Sequence, residues 1–265
     1  MEFEFKENYT IDDLVLIMKI LRSKDGCPWD IEQTHQSIRQ NFIEETYEVI
    51  EAIDKEDTNL LKEELGDVLL QVVFHSEIES EVGNFTIDDV ASDICKKLIV
   101  RHPHVFSNVE ASTTNEVINN WDKIKMQTKS QTTQTQVLQS VSKSLPSLMR
   151  SQKVQQKASK VGFDWDNIDG AIDKVYEEIE EVKEAYTKGD EEHCQEELGD
   201  LLFAVVNVSR FVGVDSEKSL YKACDKFIDR FSQVETMAKD RNINIKDASL
   251  DELNSLWDEA KKYKN

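Results

Sequence analysis

The chain has 265 residues, 39% hydrophobic and 32% charged, with only 8 Gly and 3 Pro, a composition suited to one large or two small cores built from long helices. Its formal net charge of −21 opposes stable binding to a nucleic-acid backbone, though not to a nucleotide partly neutralised by a divalent cation. Cys27, Cys95, Cys194 and Cys224 form no Cys-x-x-Cys pair, no apolar run reaches membrane-spanning length, and the opening MEFEFKE is unlike a signal peptide, so a soluble cytoplasmic protein is expected.

Helix signals then follow one another along the first half. Thr10 with Asp13 forms a capping-box start leading into Leu14, Met18 and Leu21, with Asp25-Gly26 as the stop. GCPWD is expected to be a loop. A second helix over 34–54 places Phe42, Val49 and Ile53 on an apolar stripe opposite its acids. A third begins near Asp57, carries Leu61, Leu65, Leu69 and Val73, and ends at Gly83. Thr86 with Asp89 opens a fourth, halted before Pro103, and Thr113 with Glu116 opens a last helix containing Trp121. No stretch alternates with the period of two that a strand requires.

The segment 127–137 turns polar and loses apolar periodicity, which makes it a linker by composition. It separates an expected helical domain over 1–126 from a second over 138–265. Beyond it the features repeat. Trp165-Asp166 answers Trp29-Asp30, Lys226 and Arg230 answer Lys97 and Arg101, and Trp257 with Lys261 answers Trp121 with Lys125. The fold expected is therefore all-α, a tandem duplication of one helical module.

The most informative repeat is acidic. Glu45, Glu48, Glu64 and Asp67 recur as Glu178, Glu181, Glu197 and Asp200, inside EETYE or EEIEE and then ELGD, at a constant offset (178−45 = 197−64 = 133). Residues three apart share a helix face, so each half offers two acidic pairs from two successive helices. An oxygen-only ligand set suits a hard cation, Mg²⁺ with Mn²⁺ as substitute, and thus phosphate chemistry. A lone EExxE string is more often a solvated face. Gly66 and Gly199 argue otherwise, because an interior Gly costs a helix about 1 kcal/mol relative to Ala and a close neighbour would account for it. Lys226 and Arg230, one turn apart, can grip a polyphosphate while an indole covers a base or ribose. Lys174 lies one turn before Glu178, within reach of a phosphate, where the first half has Asn41.

The succession CPWD, EETYE, ELGD, KKLIVRHPHVF and WDKIK, then VGFDWD, YEEIEE, EELGDLLFAVVN, KFIDRF and WDEAK, resembles the MazG nucleoside triphosphate pyrophosphohydrolases over nearly the whole chain. The resemblance implies an all-α homodimer that cleaves nucleoside triphosphates to monophosphates and pyrophosphate with Mg²⁺. It assigns the metal to Glu178, Glu181, Glu197 and Asp200. It assigns nucleotide contacts to 174–178 (Lys174, Tyr176, Glu177, Glu178), 193–196 (His193, Glu196), 226–230 (Lys226, Arg230) and Trp257, to which the residue pattern adds Lys261. His193 stands where the family pattern has a Lys. Lys226 and Arg230 would clamp the β- and γ-phosphates, and Glu177 would serve as general base or outer-shell group. The first half would mainly pack helices and support dimerisation.

Rival readings fit less well. A di-iron bundle needs Glu-x-x-His on two helices, and only Glu32-x-x-His35 matches. DWDNIDG breaks an EF-hand frame at Ile168, His102-Pro103-His104 suits a structural loop, and no Gly-rich phosphate loop exists. The remaining alternative is a non-catalytic acidic helical protein that binds a partner.

Overall fold

The structure, a computed structural model, describes residues 3–107, 113–128 and 131–262. Among the described residues every regular element is a helix, and none is long and apolar enough to cross a membrane. The chain divides into two compact units, with the boundary between Lys125 and Met126 falling in the last turn of a helix.

In the first unit α1 (Ile11–Leu21) starts at the Thr10–Asp13 capping box, as the sequence leads one to expect. GCPWD departs from the loop expectation, since Pro28 takes the first position of a short helix, α2 (Pro28–Glu32), where its missing N–H costs nothing. Helix α3 (Arg39–Asp54) starts five residues later than the periodicity suggests. Thr34 and Ser37 explain the delay: the Thr34 amide donates to Ser37 Oγ at 2.9 Å, and the Ser37 amide to Thr34 Oγ1 at 3.2 Å. After α3 come α4 (Thr58–Glu81), capped by Asp57, and α5 (Ile87–Arg101), opened by the Thr86–Asp89 capping box. Pro103 then starts α6 (Pro103–Phe106), where a loop was expected, and α7 (Thr114–Thr128) closes the unit. The core is Met18, Ile38, Val73 and Phe74, with Leu14, Val15, Leu70 and Ile78 around it. Ile53 and Leu65, expected on apolar stripes, are more than half exposed. Arg22 ties α2 to α4 by a bidentate pair with Glu81 and a bond to the Asp30 carbonyl oxygen.

The second unit begins with α8 (Gln134–Gln139), which occupies part of the polar segment; Thr133 and Gln136 form its capping box. Helix α9 (Ser147–Ser159) docks through buried Gln155, whose side-chain amide donates to the Phe203 carbonyl oxygen at 2.8 Å. Helices α10 (Ile168–Lys188) and α11 (Glu191–Phe211) pack together as the counterparts of α3 and α4. Gly189, at φ +70°, ends α10 in a left-handed conformation that Gly adopts without steric cost, and Asp190 caps α11. Helix α12 (Ser216–Asp240) packs on α13 (Leu250–Ala260), burying Val234, Ala238, Leu256 and Ala260.

Candidate active site

Two successive helices supply the carboxylates in each unit, and three of the four converge. In the second unit ligand oxygens of Glu178, Glu197 and Asp200 all lie within 4.8 Å of one another; in the first, those of Glu45, Glu48 and Glu64 do. The fourth member of each set is coupled to the others. Desolvation, then the charges of Glu178 and Glu197, hold the Glu181 carboxyl above its ordinary range. Desolvation likewise raises Glu45, with a hydrogen bond to Glu48 and the charge of Asp67 adding to it, and raises Glu64 alongside Glu48 and Asp67.

The two clusters differ in burial and in cations. Glu178 is 3% exposed, and its Oε2 is buried without a hydrogen-bond partner. An unpartnered buried carboxylate oxygen is costly, and a hard cation satisfies it. With Glu197 and Asp200 beside it and only oxygen donors in the set, the residues present fit Mg²⁺ or Mn²⁺. Lys174 Nζ reaches Glu178 Oε1 at 2.6 Å and Glu177 Oε1 at 2.7 Å, bonds that hold its ammonium well above the usual lysine range, Glu177 contributing most. His193 Nδ1 lies 3.4 Å from Glu197 and 3.9 Å from Glu196. Among the described residues no Lys or Arg pairs with Glu45, Glu48, Glu64 or Asp67.

Among the described residues none of the other nucleotide-contact candidates pairs with these carboxylates. Tyr176, two residues before Glu178 and so on the far side of α10, is exposed. Lys226 and Arg230 stand on α12, and neither forms an ion pair among the described residues. The Arg230 guanidinium sits 6.0 Å from the Trp257 ring centre, and Phe227 packs against the same indole at 5.0 Å. Lys261 Nζ pairs with Asp258 at 2.8 Å. Arg101 repeats the arrangement on Trp121 at 5.1 Å, while the side chain of Lys125 lies outside the described residues.

Gly66 and Gly199 do not have the role expected of them inside one chain: a Cβ at either would meet nothing within 4 Å. Two features escaped the sequence. His35, His75 and Glu79 form a chain of hydrogen bonds, with His35 Nδ1 2.7 Å from His75 Nδ1 and His35 Nε2 2.6 Å from Glu79 Oε1. Partners forty residues apart leave no local signal. The second is a seat for Trp165 on Gly170; a glycine five residues after a tryptophan at a helix start was the available hint.

Comparison with known proteins finds one family in both units. A family described as the MazG nucleotide pyrophosphohydrolase domain matches residues 33–106 and again 168–235, each match spanning one acidic hairpin. The chain is 43% identical over 250 residues to a Thermotoga maritima protein named nucleoside triphosphate pyrophosphohydrolase/pyrophosphatase MazG, covering 94% of this chain and 95% of that one. It is 42% identical over 255 residues to the Escherichia coli K12 nucleoside triphosphate pyrophosphohydrolase, covering 95% and 97%. A longer Bacillus subtilis protein, YabN, is 47% identical over 246 residues, which span 50% of its length.

Proposed function

This chain belongs to the MazG nucleotide pyrophosphohydrolase family, and we propose that it hydrolyses nucleoside or deoxynucleoside triphosphates to monophosphates and pyrophosphate, with Mg²⁺ held by its second unit. The observation that carries the metal assignment is the buried, unpartnered Oε2 of Glu178 beside Glu197 and Asp200. Glu181 completes the ligand set. Bound there, Mg²⁺ supplies Lewis-acid polarisation of the phosphates and a nucleophilic water at neutral pH.

The chain's own residues do the rest. Lys174, already bonded to Glu178, stands where an incoming phosphate oxygen can take over one of its hydrogen bonds. That exchange frees Glu177 to accept a proton from the attacking water, the general-base role. Lys226 and Arg230, without acidic partners among the described residues, clamp the β- and γ-phosphates, with Trp257 and Phe227 fixing the guanidinium. His193, Glu196 and Lys261 line the nucleotide's path.

A homodimer accounts for features one chain leaves open. Leu198, Leu202, Val205, Leu220, Phe227 and Ile228 are all exposed on α11 and α12, and Gly66 and Gly199 face open space. A second copy covering them buries apolar area and permits close helix approach. Nucleotide-pool house-cleaning in the cytoplasm is the role that fits such an activity.

Chromatography of products from dNTPs with and without Mg²⁺ tests the reading. Monophosphate plus pyrophosphate, abolished by chelation, is the expected result. Diphosphate plus orthophosphate means the wrong bond, and turnover that survives exhaustive chelation removes the metal.

A further inference from the structure

The strand of chain leading into α10, VGFDWD, lies outside every residue assigned so far. Trp165 is 47% exposed, and among the described residues no ring or cation stacks on it. Trp257, by contrast, is already engaged by Phe227 and Arg230. The exposed indole is nevertheless firmly placed. It rests against the backbone of Gly170 so closely that a Cβ there would come within 2.8 Å of Trp165 Cε3 and 3.1 Å of Cδ2. Asp164, its neighbour, is gripped by Arg210 of α11, with Arg210 Nη1 2.9 Å from Asp164 Oδ2. Both helices that carry the metal carboxylates therefore position this one ring.

Its position along α10 carries the inference. Gly170, Lys174 and Glu178 follow at intervals of four and form one stripe on the helix. Eight residues at 1.5 Å rise put the indole's seat about 12 Å from Glu178, with Lys174 halfway. A nucleoside triphosphate has the same order: a flat base, then ribose and its 5′ ester, then phosphates. The first unit lacks this stripe, having Ser37 and Asn41 where the second has Gly170 and Lys174, and Trp29 on the separate helix α2.

We propose that Trp165, seated on Gly170, is the stacking platform for the nucleobase of the substrate. The proposal rests on the reading of the second unit as a triphosphate site. Stacking on an aromatic face is tolerant of base identity, because every base presents a π-face. It therefore predicts tighter binding of nucleotides than of bare polyphosphate, and a modest preference among bases.

Equilibrium binding separates this from the catalytic reading, since it needs no turnover. Adenosine 5′-(α,β-methylene)triphosphate and inorganic tripolyphosphate, each with Mg²⁺, are titrated into the full chain. Trp165→Ala should weaken the nucleotide about tenfold and leave tripolyphosphate within twofold, about the scatter of such titrations, while Trp165→Phe recovers most of the loss. Gly170→Ala, which favours the helix yet displaces the indole, should weaken the nucleotide in the same way. Equal weakening of both ligands by Trp165→Ala makes the residue a structural prop and overturns the proposal. Unchanged nucleotide binding with a shift towards monomer makes it an interface residue and overturns it too. Nucleotide binding that depends on Trp165 in a protein that releases no pyrophosphate would retain the platform and remove the catalytic reading instead.

Discussion

In the first unit Glu45, Glu48 and Glu64 gather with no lysine or arginine among their described partners, whereas in the second Glu178 is buried and bonded to Lys174. One sequence pattern thus produces two electrostatic environments. In the first cluster desolvation, and then the acidic neighbours, raise the carboxyls of Glu45 and Glu64. The second adds a fixed cation that can be handed to a phosphate, and an indole two helical turns away. A ligand set is enough for a metal, but a polyphosphate site also needs positive charge at a set distance.

Single carboxylate substitutions test that asymmetry most severely. Glu197→Ala or Asp200→Ala should lower pyrophosphate release by about 100-fold or more, beyond what loss of an outer-shell partner does. Glu64→Ala and Asp67→Ala should stay within about threefold, because they remove no group expected to touch substrate. Equal damage from the first-unit pair, in protein that remains folded and keeps its oligomeric state, would mean that both units are catalytic.

Metal addition sharpens the same contrast through stability. Glu181, Glu45 and Glu64 have raised carboxyls, so protonation relieves them: their contribution to stability is present at acid pH and lost as pH rises through the raised values. A divalent cation relieves them at neutral pH instead. Mg²⁺ should therefore raise the melting temperature at pH 7.5, and the increment should shrink steadily as the buffer is taken towards pH 5. A metal increment that grows on acidification would contradict the coupling.

Lys174→Ala should depress the metal-free melting temperature by about 3 °C, since it leaves Glu178 buried beside other acids with no cation. Mg²⁺ should restore more of this loss than it adds to the wild type, while the Michaelis constant stays raised. Asn41→Lys, the reciprocal change, should not alter turnover.

The smallest effect belongs to a network found, among the described residues, in the first unit. His75 is held below its ordinary range by burial and then by His35, and Glu79 is lowered by Asn84 and then by His35. Both shifts give stability present at neutral pH and lost as pH falls, His75 first. Two protonated rings also cannot share the 2.7 Å contact between their Nδ1 atoms. Hydrogen exchange in the 33–38 turn should rise between pH 7.5 and pH 5.5, and His75→Phe should remove that rise while leaving activity unchanged.

Local chemistry was legible along the chain because it is settled within about one helical turn. The capping boxes at Thr10 and Thr86 open α1 and α5, and the reciprocal Thr113–Glu116 bonds open α7, all from residues three apart. The constant offset of the acids exposed the duplication, and helical spacing alone put each pair on one face. The late start of α3 was less legible, because Thr34 and Ser37 satisfy each other's backbone in place of a helical turn. Burial of Met18 and Val73 followed from their apolar spacing, but burial of the acids and indoles did not. Glu45 and Glu178 occupy the same place in the repeat, yet only the packing around α10 buries Glu178, whereas the pairing of Lys174 with Glu177 and Glu178 follows from helical spacing. Trp165 and Trp257 look alike in sequence, but one rests exposed on Gly170 and the other is locked under Arg230 and Phe227. Periodicity assigns a residue to a face; what that face meets depends on helices distant in sequence, and that decides which carboxylate is desolvated and which indole is left free.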